Sequence, residues 1–409
     1  MRVLIKNIEK LLQVYQDHEV IYRINGHDMK VLPSISNAFL VYENGVIKDF
    51  GTMQALNSEQ HFDEEIDATG ACVLPTWVDS HTHLVFAATR EEEFVQRIEG
   101  LSYAEIAARG GGILNSAQKL AAMSEDELFD LALPRLEQAI STGTGAIEIK
   151  SGYGLSTEAE LKMLRVIARL KALNRIPVKA SFLAAHAYPL AYKENHQGYI
   201  DLIINEMLPR VAGEGLAEYI DVFCEQGFFS VDETSQILEA AAKYGLAPKI
   251  HANQLHNSGG VQVGVQHNAL SVDHLETLGE AEVACLADST TIPVLLPGAA
   301  FFLGMHYQPA RMLLDANLPV TLASDYNPGS CPSSNMNFIV SLACTQMHMT
   351  PAEAIHACTL NAAASLELSD RQGIIARGYA ARLIITKPMR SEALIPYSFG
   401  ENMIARVII

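Results

Sequence analysis

Two histidines spaced by one residue, at the end of an apolar run, are the first side chains here whose type and spacing can do chemistry: Val78-Asp79-Ser80-His81-Thr82-His83. On an extended chain alternate side chains share a face, so His81 and His83 turn toward one point while Thr82 turns away. Imidazole pairs suit zinc or iron better than magnesium or calcium, but two ligands hold neither ion. The bland alternative is a pair of strand-end histidines with ordinary hydrogen bonds. Further donors lie where other apolar runs stop, because His186, His251, His274 and Asp325 each follow one. His81, His83, His251 and Asp325 together offer three nitrogens and one oxygen to a single ion, with room for a water whose pKa the ion brings toward about 7. Asp325 is then placed to take that water's proton, and His274 to steady an oxyanion or help move the proton. The chemistry is hydrolysis. Asp325 as a cap of the loop Asn327-Pro328-Gly329, and His274 as a satisfied core histidine, are the structural alternatives.

A second group of residues speaks to substrate. Arg90 follows the histidine pair in the acid-rich stretch Arg90-Glu91-Glu92-Glu93, where it either binds a carboxylate bidentately or forms a surface ion pair. Tyr153 stands between Gly152 and Gly154, which let backbone approach a ligand closely. Asn327, Gly329 and Ser330 form a loop whose backbone N–H groups could cradle an anion. A small polar substrate carrying a carboxylate fits all three.

Bringing such donors together needs a scaffold whose strand ends converge. Over residues 71–377 apolar strands alternate with long helical stretches, the mark of a parallel α/β architecture. Eight candidate strands cover 73–79, 146–150, 178–184, 219–223, 248–251, 270–273, 292–296 and 320–324. Ser124-x-x-Glu127, Thr157-x-x-Glu160 and Ser230-x-x-Glu233 have capping-box spacing, and Thr350-Pro351 opens a later helix. The expectation is a TIM (β/α)8 barrel with its chemistry at the C-terminal strand ends. Residues 37–42 and 46–51 alternate around Glu43-Asn44-Gly45 as a hairpin would, and 383–386 and 405–409 are similarly β-rich. Residues 1–70 plus 378–409 are therefore expected to form one small β-sandwich domain flanking the barrel.

Composition narrows the partners. A formal charge of −18 disfavours nucleic acid and anionic membrane through repulsion. No run of about 18 uncharged apolar residues is present to span a bilayer. The opening MRVLIKNIEKLLQVYQ is too broken by Lys, Asn and Glu for a signal-peptide core, so the cytoplasm is expected. Six scattered cysteines without a CxxC pair read as reduced core thiols.

The motifs Asp79-Ser80-His81-Thr82-His83-Leu84-Val85-Phe86-Ala87-Ala88-Thr89-Arg90, Gly110-Gly111-Gly112-Ile113, Glu148-Ile149-Lys150-Ser151-Gly152-Tyr153-Gly154-Leu155, Asp273-His274-Leu275 and Asp325-Tyr326-Asn327-Pro328-Gly329-Ser330 carry a resemblance to the amidohydrolase superfamily that runs nearly end to end. EIKSGYGL with D-x-NPGS is similar to those members that open an imidazolone ring. The resemblance implies hydrolysis of 4-imidazolone-5-propanoate to N-formimidoyl-L-glutamate in histidine degradation, a TIM barrel with a flanking β domain, one Zn2+ or Fe3+ per chain, and a homodimer. It places the metal ligands on His81, His83, His251 and Asp325, and substrate contacts on Arg90, Tyr153, His186, Asn327, Gly329 and Ser330, with Tyr103 as a further pocket tyrosine. Many members put a glutamate three residues after the strand-five histidine, whereas here His251-Ala252-Asn253-Gln254 offers an amide. Gln254 can orient substrate but transfers no proton, which moves acid–base work onto Asp325 and His274 and weakens a cytosine- or guanine-type deaminase reading. Another cyclic-amide hydrolase or aminohydrolase remains an alternative. A catalytically dead scaffold is disfavoured, because all four ligand positions are intact. Lys150 raises a two-metal alternative bridged by a carboxylated lysine, but it ends the second strand and not the fourth, so one ion is expected. Further departures are Pro75-Thr76-Trp77 in place of Pro-Gly, Arg382 where an aspartate is usual, and an end at Ile409 without the last glycine-containing turn.

Overall fold

The computed structural model describes residues 1–15, 21–57, 59–101, 105 and 111–409. Alternating apolar residues make a long first strand, β1 (Arg2–Leu12), which pairs antiparallel with β2 (Ser34–Glu43). The turn Asn44-Gly45, with φ of 49° and 77°, joins β2 to β3 (Val46–Thr52) as the hairpin chemistry requires. On its other edge β1 pairs parallel with β4 (Glu64–Asp67) through residues 3–6 and with β5 (Ala71–Pro75) through residues 10–11. Two strands from the far end of the chain, β14 (Leu383–Pro388) and β15 (Ile404–Ile408), extend the sheet beyond β5. Both chain ends thus share one seven-stranded sheet.

The expected boundary at residues 70/71 is corrected by the strand pairing. Ala71–Pro75 belongs to the terminal sheet, and the barrel begins at β6 (Trp77–Asp79), past Thr76. All eight residues of these two strands are buried, so the apolar run shows no break where the chain changes sheets.

Seven more strands follow: β7 (Thr144–Lys150), β8 (Val178–Ala185), β9 (Tyr219–Cys224), β10 (Ala247–Ala252), β11 (Ser271–His274), β12 (Ile292–Leu295) and β13 (Thr321–Leu322). They pair parallel in chain order, which is the TIM-type barrel. The ring closes just past the strand ends. Asp325 donates its N–H to the His81 carbonyl (3.0 Å), His83 donates to Tyr326 (2.8 Å), and Ser324 donates through N–H and hydroxyl to Asp79 (2.9 and 2.5 Å).

Helix starts behave as the spacing predicts at Ser124/Glu127, Ser230/Glu233 and Thr350/Glu353, where reciprocal caps form. Thr157-x-x-Glu160 is the exception. Ser156 is the N-cap there, without a side-chain cap, and Glu160 has turned toward a different set of donors.

Candidate active site

The end of β6 delivers His81 and His83, β10 delivers His251, β11 delivers His274, and the residue three past β13 is Asp325, all at most 2% exposed. Asp325 Oδ1 lies 3.6 Å from Nε2 of both His81 and His83, and Nε2 of His83 lies 3.4 Å from Nε2 of His251. Ligand bonds of about 2.0–2.1 Å place tetrahedral neighbours about 3.4 Å apart, so this spacing fits a single cation. His274 converges on the same point, since its donor atom and those of His81 and His251 lie within 4.8 Å of one another. Positive φ at His274 (89°), Leu275 (69°) and Asp325 (55°) concentrates backbone strain here, as functional sites do.

Protonation prepares the same atoms. Carboxylates accept from the outer nitrogens: Asp273 from His81 Nδ1 (2.6 Å) and Asp221 from His251 Nδ1 (3.0 Å). With Nδ1 carrying the hydrogen, each Nε2 presents a lone pair. Burial, with Lys150 and the other imidazoles adding to it, holds His81 well below the ordinary histidine pKa, and burial with His186 does the same for His83. Nε2 of His81 is buried without a hydrogen-bond partner, the state of a donor awaiting a cation. Asp325 Oδ2 accepts from the Ser330 hydroxyl (3.0 Å), leaving Oδ1 for the histidines, and burial raises its pKa. Asp325 thus braces its own loop through one oxygen and turns the other toward the histidines. For His274, burial opposes charging, but Glu276 at 3.3 Å from Nδ1, with Asp325 and Asp273 adding to it, raises the pKa.

Beneath the site lies a cluster that sequence reading missed. Lys150 Nζ lies 2.5 Å from Glu148, 2.7 Å from Asp221 and 3.7 Å from Asp273, and Lys249 Nζ lies 2.7 Å from Glu148, all fully buried. Burial alone would lower the Lys150 pKa, yet Asp221 and Glu148 raise it, and its Nζ is engaged by these two carboxylates. The available signal was single acids inside apolar strands: Asp221 in β9 and Asp273 in β11.

On the open side of the histidines, the His83 and His186 rings stack at 5.3 Å, and Tyr153 lies 5.5 Å from His186 and 5.8 Å from His83. His186 donates from Nδ1 to the Gly152 carbonyl (3.1 Å), and burial pushes its pKa down to about 3. Arg90 makes no ion pair among the described residues. Its Nε donates to Ser116 (3.0 Å), and its guanidinium carbon sits 5.8 Å from the Tyr153 ring centre. A Cβ on Gly329 would stand 2.7 Å from Arg90 Nη1, so the glycine makes room for the guanidinium. The expected anion cradle is corrected: Asn327 Oδ1 already accepts from the N–H of Gly329 and of Ser330 (both 2.8 Å), and the cations beside this loop are Arg90 and Arg97, the latter donating to the Gly329 carbonyl (3.2 Å). Gln254 is half-buried in the loop that follows β10, where Glu225 accepts from the N–H of Leu255 (2.8 Å) and His256 (3.2 Å). Tyr103 lies outside the described residues.

A closed parallel barrel with histidines at strands one and five and an aspartate after strand eight defines a class, and the chain belongs to the amidohydrolase family, whose profile matches residues 72–409. An imidazolonepropionase of Christiangramia forsetii is 53% identical over 409 residues, covering 100% of this chain and 99% of the relative. One from Flavobacterium johnsoniae is 54% identical over 409 residues with the same coverage. Within the family the chain therefore stands among the imidazolonepropionases. A zinc-bound adenosine deaminase from Xanthomonas campestris, 15% identical, superposes with a TM-score of 0.70 over 100% of this chain and 91% of its own, which is a likeness of fold.

Proposed function

We propose that the chain hydrolyses the ring amide of 4-imidazolone-5-propanoate to N-formimidoyl-L-glutamate, a step of histidine degradation. The observation that carries this reading is a cation-competent set of three imidazoles and Asp325 next to an arginine that makes no ion pair among the described residues, in a chain matched end to end by imidazolonepropionases.

His81, His83, His251 and Asp325 would hold one Zn2+ or Fe3+, which when bound would supply Lewis-acid polarisation of a carbonyl and bring the pKa of a water toward about 7. Arg90, fixed at Nε by Ser116, keeps its two terminal nitrogens for the propanoate carboxylate. Tyr153 and His186 flank the ring, and the neutral His186 meets it without adding charge. Asn327 and Ser330 support the site by ordering the loop around Gly329 and Asp325, and Gln254 orients the substrate through its amide. Tyr103 is retained as a further pocket contact. Asp325, made more basic by burial, accepts a proton from the attacking water. The water oxygen adds to the ring carbonyl carbon, His274 faces the developing oxyanion, and the C–N bond breaks as the ring nitrogen takes up the proton.

A homodimer is proposed on the exposed apolar side chains of helix Glu91–Ile98 (Phe94, Val95, Ile98), where Phe94 stacks on Phe302 at 5.2 Å. A cytoplasmic setting accords with six free cysteines, and among the described residues no helix is long and apolar enough to cross a membrane. The test is loss of the imidazolone ultraviolet absorbance on incubation with metal-replete protein, alongside metal analysis. Turnover with one ion per chain is expected. An inert imidazolonepropanoate with rapid deamination of guanine or cytosine would overturn the reading.

A further inference from the structure

Glu160 is a fully buried carboxylate that no cation pairs with among the described residues, and the chemistry above does not use it. It sits in the first turn of the helix Thr157–Ala172, where a reciprocal cap was the ordinary expectation. Its oxygens instead reach back into the loop before the helix. Oε1 accepts from the N–H of Gly154 (2.7 Å) and of Leu155 (2.9 Å), and Oε2 accepts from the N–H of Gly152 (3.0 Å). The helix N-terminus and these three amides supply the positive charge that an ion pair would supply elsewhere.

The gripped loop is shaped to allow this. Gly152 has φ +110°, and a Cβ on Gly154 would stand 2.4 Å from the Glu160 amide nitrogen, so both glycines are needed for the loop to settle on the helix end. Tyr153 lies between them, turned toward His83 and His186. The Gly152 carbonyl is also the acceptor for His186 Nδ1, which fixes that imidazole's tautomer and leaves Nε2 for the site. One carboxylate therefore holds two side chains on the substrate side, while touching none of the four cation donors.

We propose that Glu160 is a positioning residue for substrate, setting Tyr153 and His186 together through its grip on residues 152–155. This rests on the reading that those two side chains meet the imidazolone. E160Q preserves shape and separates the effect. The amide it introduces can still accept from Gly154 and Leu155 through one oxygen, but its NH2 meets the Gly152 N–H donor against donor. Amide exchange at 152–155 is expected to quicken, metal content to stay at one per chain, and KM for imidazolonepropanoate to rise about tenfold with kcat within about threefold. In a Y153F background E160Q should raise KM by less than half that factor, because the two changes share a route. E160D, one methylene shorter, serves as the second variant and should move exchange and KM the same way. The proposal falls if both variants leave exchange at 152–155 and KM at wild-type values, or if apparent kcat and metal content fall together while KM stays unchanged, as in general unfolding. Exchange is read without substrate, so a wild-type protein inert toward imidazolonepropanoate would count against the function and not against the grip.

Discussion

Asp221→Asn probes how the interior of the barrel prepares the cation site. Asp221 is fully buried and accepts on both sides: Oδ1 from the N–H (3.2 Å) and Nδ1 (3.0 Å) of His251, Oδ2 from the Lys150 ammonium (2.7 Å). Neighbours on both sides are donors, so neither orientation of an asparagine amide satisfies them all. With its NH2 toward Lys150 it faces an ammonium. With its NH2 toward His251 it drives the ring to carry hydrogen on Nε2, the atom the cation needs. A buried donor left unsatisfied costs about 1–3 kcal/mol, which is the stability loss expected of the metal-free protein in urea or guanidinium. Loosening a ligand's outer partner typically weakens metal binding about 10- to 100-fold, and losing a nearby negative charge pushes the same way. Competition against a chromophoric chelator, starting from metal-free protein, measures that change directly. If D221N bound zinc and iron within twofold of wild type and unfolded at the same denaturant concentration, the account of His251 preparation would be wrong.

Asp325→Asn is expected to lower kcat by about 10²- to 10⁴-fold in protein that still carries its ion, and near-wild-type turnover would remove Asp325 as the base. Arg90→Lys should raise KM while largely sparing kcat, because a point charge does not replace a planar fork. Gly329→Ala should do likewise, since its Cβ would fall 2.7 Å from Arg90 Nη1, and an unchanged KM in both variants would refute the carboxylate assignment. His356 is buried and neutral, donating from Nε2 to the Val31 carbonyl (3.0 Å), and burial lowers its pKa. Its contribution to stability is therefore full above about pH 6.5, the unfolded value, and is lost as pH falls toward the depressed folded value. Replacing it with Gln should flatten the acid-side decline in unfolding free energy by up to about 1.4 kcal/mol per pH unit, and an unaltered slope between pH 7 and 5 would count against it.

The strand-end donors were readable because a parallel barrel converts their positions in sequence into convergence in space. Once eight apolar runs are recognised, His81, His251, His274 and Asp325 must meet at one end. The change of sheet at Thr76 was hidden for the opposite reason, since two buried strands in succession read as one apolar run. Pairings that join distant parts of the chain left the least trace. Asp221 to Lys150 and Asp273 to His81 join different strands, and each acid alone looks like an accident in an apolar strand. Local rules also failed where tertiary donors competed. Glu160 had the spacing of a cap but found three amides of the preceding loop, and the amides after Asn327 looked free for a ligand until that side chain took them. Arg90 showed the reverse, since the acidic residues next to it in sequence are not its partners and Ser116 is.

The seam between β13 and β6 is joined by backbone bonds from His81, His83 and Asp325, residues that also offer the cation donors. The first and last strands of the barrel are its most distant in the chain, so among the barrel's own joins this one is the latest to be available as the polypeptide emerges and the slowest kind of contact to form. A cation bound across it would act as a latch between the two ends of the barrel, stabilising the closed ring by mass action. An unfinished or reopened barrel therefore has no reactive centre at all, and metal depletion should loosen this one seam before the rest of the wall.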